Sequence, residues 1–225
     1  METGISQAPI CGLFGRRGVG KTTLARQIAR HQARVLVWDY IGEYGPLAFR
    51  AEGNLREFAA YLSCARGQRF AAGRYIPRTG DVEEFEAFCR IAYSFNNAII
   101  VVEEVAAVCS ASYLPPEFGK IVRQGRHRRL GLPWCTQRLN EVSRTLTSLT
   151  DVWAGFSLSE PADLTALAQR CGRDYAEQVA KLSRFEWLGY NVDDQTKFTE
   201  KTRLLGLWGA PFLWANEKRE VITPI

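Results

Sequence analysis

Short apolar runs alternate along this chain with segments whose apolar residues recur every three or four positions. The first pattern predicts buried strands and the second amphipathic helices. Pro9–Phe14 reads as a strand, and Thr23–Gln32 as a helix with Leu24, Ala25 and Ile28 on one face. Val35–Asp39 predicts a second buried strand ending in an acid, followed by a loop of turn residues over 41–46. A helix over 54–65 has Asn54 as its N-cap and Glu57 three residues on. Arg69–Pro77 reads as a strand ended by Pro77 and Gly80. Asp81 then caps a helix to about Tyr93, with Phe85, Phe88, Cys89 and Ala92 on one face. Ala98–Val102 is the most apolar β-branched run and predicts a central parallel strand covered on both faces; it ends in Glu103-Glu104. A helix from Pro116 to about Arg129 turns Phe118, Ile121, Val122 and Gly125 inward. Leu130–Cys135 follows as a strand despite Pro133, ending in Thr136-Gln137-Arg138. A strand over 152–158, helices over 161–171 and 174–182 and a strand over 184–190 come next. After Thr196 the expectation is one more strand, around 197–205, and an aromatic-rich irregular end with Trp208, Phe212 and Trp214.

Strand–helix alternation of this kind predicts one α/β domain over residues 1–225: a mostly parallel central sheet with helices on both faces, and an irregular C-terminal extension from about 206. At 225 residues, 46% hydrophobic and 24% charged, the chain is globular rather than disordered. Its net charge of +5 permits a polyanionic partner without requiring one. None of the six cysteines forms a C-x-x-C pair, and only two histidines occur, so neither a disulfide framework nor a zinc site is expected. Buried, reduced cysteines of a cytosolic protein are expected instead. There is no basic segment followed by an apolar run at the N-terminus, and no apolar run approaches membrane-spanning length.

Chemistry enters at Gly15-Arg16-Arg17-Gly18-Val19-Gly20-Lys21-Thr22, which matches the Walker A phosphate loop G-x-x-x-x-G-K-[ST]. It lies between a predicted strand and a predicted helix, as the motif requires. The glycines let backbone N–H groups curl around an anion, and the helix N-terminus adds partial positive charge there. Gly15 to Thr22, with Thr23, form the expected nucleotide site. Lys21 reaches toward the β- and γ-phosphates of ATP and the Thr22 hydroxyl toward Mg²⁺.

In a parallel α/β sheet, ligands sit at the carboxyl ends of strands. Asp39, Glu103-Glu104 and Gln137 all fall at such ends. Glu103 is the candidate Walker B acid that holds Mg²⁺ through water, and Glu104 the candidate base that orients the attacking water. Two adjacent carboxylates ending an apolar strand are costly unless a cation or a water-filled cleft receives them; the alternative is a solvated strand end. Gln137 senses the γ-phosphate or places the water, or merely satisfies backbone groups. Asp39 completes the magnesium shell indirectly or orients Lys21, or initiates a turn. No metal besides Mg²⁺ is expected. Arg123, Arg126, Arg128 and Arg129 crowd one helix end. They are either cations where the helix dipole favours them or an arginine finger for a neighbouring subunit's ATP.

The order of these motifs resembles the FtsK/HerA superfamily of ring-shaped DNA-pumping ATPases. The phosphate loop carries the resemblance together with three further stretches. Trp38-Asp39-Tyr40-Ile41-Gly42-Glu43-Tyr44 is similar to the strand-end Asp and Gly-Glu-Tyr loop of HerA-like proteins. Val101-Val102-Glu103-Glu104 resembles their Walker B, and Arg123–Gly131 leading into Thr136-Gln137-Arg138 resembles their finger helix and sensor. The resemblance spans about residues 8–190. It implies a RecA-like (ASCE) P-loop NTPase core with a strand inserted between the Walker A and Walker B strands. It further implies a hexameric homo-oligomeric ring around double-stranded DNA, and Arg126 as the trans-acting finger with Arg123 as the alternative. Leu139 stands where the family usually has Pro after the sensor, and Glu103 where Asp is commoner.

A bare core of this length looks like the genome-packaging ATPases of icosahedral viruses with an internal membrane. That implies an ATPase driving viral DNA into a preformed capsid, in the host cytoplasm and at the packaging vertex of the virion, beside capsid-vertex or inner-membrane proteins. The alternatives are a cytoplasmic HerA-like cellular or plasmid DNA translocase and a phage morphogenesis (assembly) ATPase. A small-molecule kinase does not explain the paired glutamates with a following sensor Gln, and a GTPase lacks its N-K-x-D motif. Lys181, Arg184, Lys197, Lys201 and Arg203 are DNA-contact candidates only because they are basic and lie outside the expected nucleotide site.

Overall fold

The computed structural model describes residues 8–45 and 49–208. In chain order the elements are β1 (Ile10–Phe14), α1 (Lys21–His31), β2 (Arg34–Trp38), β3 (Phe49–Glu52), α2 (Leu55–Ala65), β4 (Ala71–Ile76), α3 (Val82–Tyr93) and β5 (Ala98–Val102). They continue with α4 (Pro116–Gln124), β6 (Leu130–Thr136), α5 (Arg144–Ser148), β7 (Val152–Phe156), α6 (Pro161–Cys171), α7 (Arg173–Ala180), β8 (Trp187–Asn191), β9 (Lys197–Phe198) and α8 (Lys201–Leu205).

Among the described residues the strands form one sheet in the order β3-β4-β2-β5-β6-β1-β7-β8-β9. Every pairing from β3 to β7 is parallel, and only the β7–β8 and β8–β9 pairings are antiparallel. The sheet is therefore mostly parallel, as expected, and β6 does stand between the phosphate-loop strand β1 and the glutamate strand β5.

Alternation along each strand splits the core in two. Leu36, Trp38, Ile100 and Val102 face the layer built from α2, α3, α4, α6 and α7. Val35, Val37, Ile99, Val101, Cys11 and Leu13 face Leu24, Ala25, Ile28 and Ala29 of α1 and Leu204, Leu205 and Trp208 at the C-terminal end. Both faces of the central strands are thus dry, which is why their sequences are continuous apolar runs rather than alternating ones. Pro133 is accommodated by a gap: the β5–β6 register runs Ala98↔Leu130 and Ile99↔Gly131 and resumes at Val102↔Trp134. The ladder is interrupted where the missing N–H would have donated.

Several expectations change. The helix expected to reach Arg129 ends at Gln124 and tightens into a 3-10 turn over Gly125–Arg128, closed by Arg129 in a left-handed conformation (φ 56°). Of the strand expected over 197–205, only Lys197–Phe198 pairs, and 201–205 is helical. Trp208 is buried in a 3-10 turn rather than in an irregular end; Phe212, Trp214 and Pro46 of the expected loop lie outside the described residues. β3 and α5 were not anticipated. Five of the cysteines are buried and free, while Cys64 is exposed. No described helix is long and apolar enough to cross a membrane.

Candidate functional site

The site forms where the interior strands β1, β2, β5 and β6 release their chains, at their carboxyl ends. Leaving β1, the backbone turns at Gly15, whose φ of 146° and packing leave no room for a side chain: a Cβ there would lie 2.7 Å from Cβ of Phe156. Gly20 (φ 109°) caps α1 in another conformation that L-residues avoid. Between them, Arg16, Arg17 and Gly18 are exposed and Val19 is buried. These turns bring the loop onto the N-terminus of α1, where the first N–H groups of a helix favour an anion. Thr22 is half-buried and Thr23 exposed on the first turn of α1.

Lys21 is buried, and its Nζ donates to the carbonyl oxygens of Gly15 (2.7 Å) and Arg16 (2.8 Å). Burial lowers its pKa, opposed by the negative field of Glu104 and Glu103.

Glu103 directly follows β5, with its backbone N–H donating to Trp38 O across the sheet (3.1 Å). Its side chain is buried and Oε1 has no hydrogen-bond partner. Burial, followed by Asp39 and Glu104 as nearby negative charges, pushes its pKa up to about 7, against the opposing pull of Tyr44 and Lys21. The Tyr44 hydroxyl faces Glu103 without reaching ordinary hydrogen-bond geometry. A buried, orphaned carboxylate oxygen beside a phosphate loop fits a hard cation with oxygen ligands, so Thr22 and Glu103 suit Mg²⁺.

Glu104 takes a left-handed backbone (φ 47°), an uncommon conformation that points its carboxylate away from the strand line. There it accepts from Gln137: Nε2 donates to Oε2 at 3.0 Å and the backbone N–H to Oε1 at 3.4 Å. The expected base and the expected sensor are therefore one hydrogen-bonded unit.

Asp39 is fully buried and committed to its own loop. Its Oδ1 accepts from Glu43 N (2.9 Å), its Oδ2 from Tyr44 N (3.1 Å), and Arg74 Nη1 lies 3.3 Å from Oδ2. The turn-initiating role is the one the geometry displays. Asp39 reaches the site by placing Tyr44 and by its charge on Glu103.

Arg123 and Arg126 are exposed at the amino-terminal approach to β6, and Arg126 lies in the field of Asp151 just before β7. The phosphate loop leaves the opposite ends of these parallel strands. At about 3.3 Å per residue the separation is roughly 20 Å, so neither arginine serves the site of its own chain.

The DNA candidates also sort. Lys197 pairs with Asp174 and Arg203 with Asp194 (3.2 Å), while Lys181 and Lys201 are exposed. Arg184 is not outside the nucleotide site: its Nε donates to Gly18 O (3.3 Å) in the phosphate loop. Sequence reasoning missed this, and no local signal connects residues so far apart.

No protein-family model matches the chain. It is 26% identical over 207 residues to Protein P9 of Pseudoalteromonas phage PM2, which covers 85% of this chain and 88% of P9. The genome packaging NTPase B204 of Sulfolobus turreted icosahedral virus 2, solved in complex with ATPγS, is similar at a TM-score of 0.71 and 20% identity, over 84% of this chain and 95% of B204. The conjugation coupling protein TcpA of pCW3, with ATPγS, is similar at 0.56 and 14% identity, over 86% of this chain and 60% of TcpA. The chain has the P-loop NTPase fold of these proteins.

Proposed function

We propose that this chain is an Mg²⁺-dependent ATPase that drives double-stranded viral DNA into a preformed capsid. One observation carries the reading. Glu103, buried with a free oxygen, stands beside Glu104, which is tethered to Gln137, and both acids close on a Walker A loop at the carboxyl ends of the strands.

The loop glycines and Lys21 hold the triphosphate, and Thr22 and Glu103 hold Mg²⁺. The metal neutralises charge on the β- and γ-phosphates when bound. Glu104 takes the proton of the attacking water, and Gln137 fixes the carboxylate that does so. Arg126, or Arg123, completes the site of a neighbouring copy, where such a residue is worth about 10³–10⁵ in rate. The likeness to B204, a viral genome packaging NTPase, and to P9 of a phage supports packaging over cellular or plasmid DNA transfer. On this reading the partners are duplex DNA, further copies in a ring and the packaging vertex of a virion.

The test is the ATPase rate per subunit against protein concentration, with and without duplex DNA. A rate that rises with both is expected. A rate indifferent to both would turn the reading toward an assembly ATPase.

A further inference from the structure

The turn Ser183–Glu186 joins α7 to β8 and leans on the phosphate loop. It is closed on itself: Ser183 N donates to the Glu186 carboxylate (2.8 Å) and Glu186 N to Ser183 O (3.2 Å). Arg184 is bonded to Gly18 O, and its guanidinium lies 4.7 Å from the centre of the Phe185 ring. The Phe185 ring is beside Gly20, where a Cβ would come within 3.6 Å of it. Phe185 nevertheless has a left-handed backbone (φ 71°), and it is 63% exposed. A bulky residue at such a φ is disfavoured, and an exposed aromatic ring contributes little to the core. Neither choice serves the fold, yet both aim one flat apolar ring at the edge of the anion cradle.

The topology says what would meet that ring. Gln137, Glu103 and Glu104 stand on the β6–β5 side of β1, whereas β7 and β8, with this turn, stand on the other. A nucleoside triphosphate lying in the loop with its terminal phosphate toward Glu104 directs its base toward the turn.

We propose that Ser183–Glu186 is the base-side wall of the nucleotide site: the Phe185 ring stacks on the base of a nucleoside triphosphate, and Arg184, anchored on Gly18, faces its phosphates. The inference rests on the phosphate-loop reading and adds two residues to it. Stacking accepts any base with a π-face, so this wall favours nucleotides over bare polyphosphate more than it favours one base over another.

The experiment is calorimetric titration with Mg²⁺-ATPγS and, separately, with Mg²⁺-tripolyphosphate, which has no base. Phe185→Ala should weaken ATPγS binding roughly five- to a hundredfold, the range of a lost base–aromatic stack, and leave tripolyphosphate binding unchanged. Phe185→Gly should do the same while melting no lower than wild type, because glycine accepts the left-handed backbone; misfolding is thereby separated from lost stacking. Arg184→Ala should weaken both ligands together. Unchanged ATPγS binding in both Phe185 variants, or equal loss of both ligands, would overturn the proposal and leave the phosphate loop intact. Wild type that binds neither ligand would overturn the phosphate-loop reading, and this inference with it.

Discussion

At the scale of single residues, Glu103 and Glu104 divide the work of a carboxylate pair by their surroundings. Glu104 is held by Gln137, whereas Glu103 is buried with one oxygen unpaired, and burial raises its pKa from 4.5 to about 7. The sign of the consequence is definite. Between about pH 4.5 and pH 7 the folded protein binds this proton more tightly than the unfolded chain does, so this group's contribution to stability falls as pH rises through that window. The loss is on the order of 3 kcal/mol for a shift of that size, counted at about 1.4 kcal/mol per pH unit. Glu103→Gln, which carries no charge, should raise the melting temperature of the nucleotide-free protein at about pH 8 and flatten its decline between about pH 5 and 8. Melting curves of both proteins across that range check this. A variant that melts below wild type at about pH 8 would show that the carboxylate is stabilising in place.

At the scale of elements, the C-terminal segment acts as a clamp on the phosphate-loop strand. Trp208 is buried, its Nε1 donates to Pro9 O (3.1 Å), and its ring fills the place where a Cβ on Gly131 would come within 2.2 Å. Trp208→Ala should lower the unfolding free energy by about 3–5 kcal/mol, the usual result of emptying a site that held a large aromatic ring; urea titration measures it. Elements defined by their own residues were legible in the sequence. Asn54 and Asp81 do accept from Glu57 N and Glu84 N as caps, and Ala98–Val102 is a buried central strand. The phosphate loop, the glutamate pair and Gln137 likewise meet at the carboxyl ends of the strands, because strand-end position and parallel pairing bring them there. What escaped depends on remote partners. Phe49–Glu52 becomes a strand by pairing with β4; its residues alternate apolar and polar, but over only four positions, too short a run to announce a strand. The change from α to 3-10 at Gly125 leaves the apolar spacing intact, so periodicity passes over it. Arg184 looked like one more surface cation until the fold set it against Gly18.

At the scale of the whole molecule, the nucleotide site and the arginines at the 3-10 turn occupy opposite ends of the same parallel strands. If Arg126 completes a neighbour's site, Arg126→Ala subunits mixed into wild type should depress ATPase activity by more than their share. Activity plotted against mutant fraction would show it; a straight line would remove Arg126 from that role. The separation also gives each copy a polarity. If Arg126 does serve a neighbour, two arrangements can use it: a two-fold pair with antiparallel strands, in which each copy's arginine end meets the other's site, or copies following one another head to tail. In the head-to-tail case, any open row would leave an unused arginine at one end and an unfinished site at the other. The joint that closed such a row would complete a site without adding a subunit.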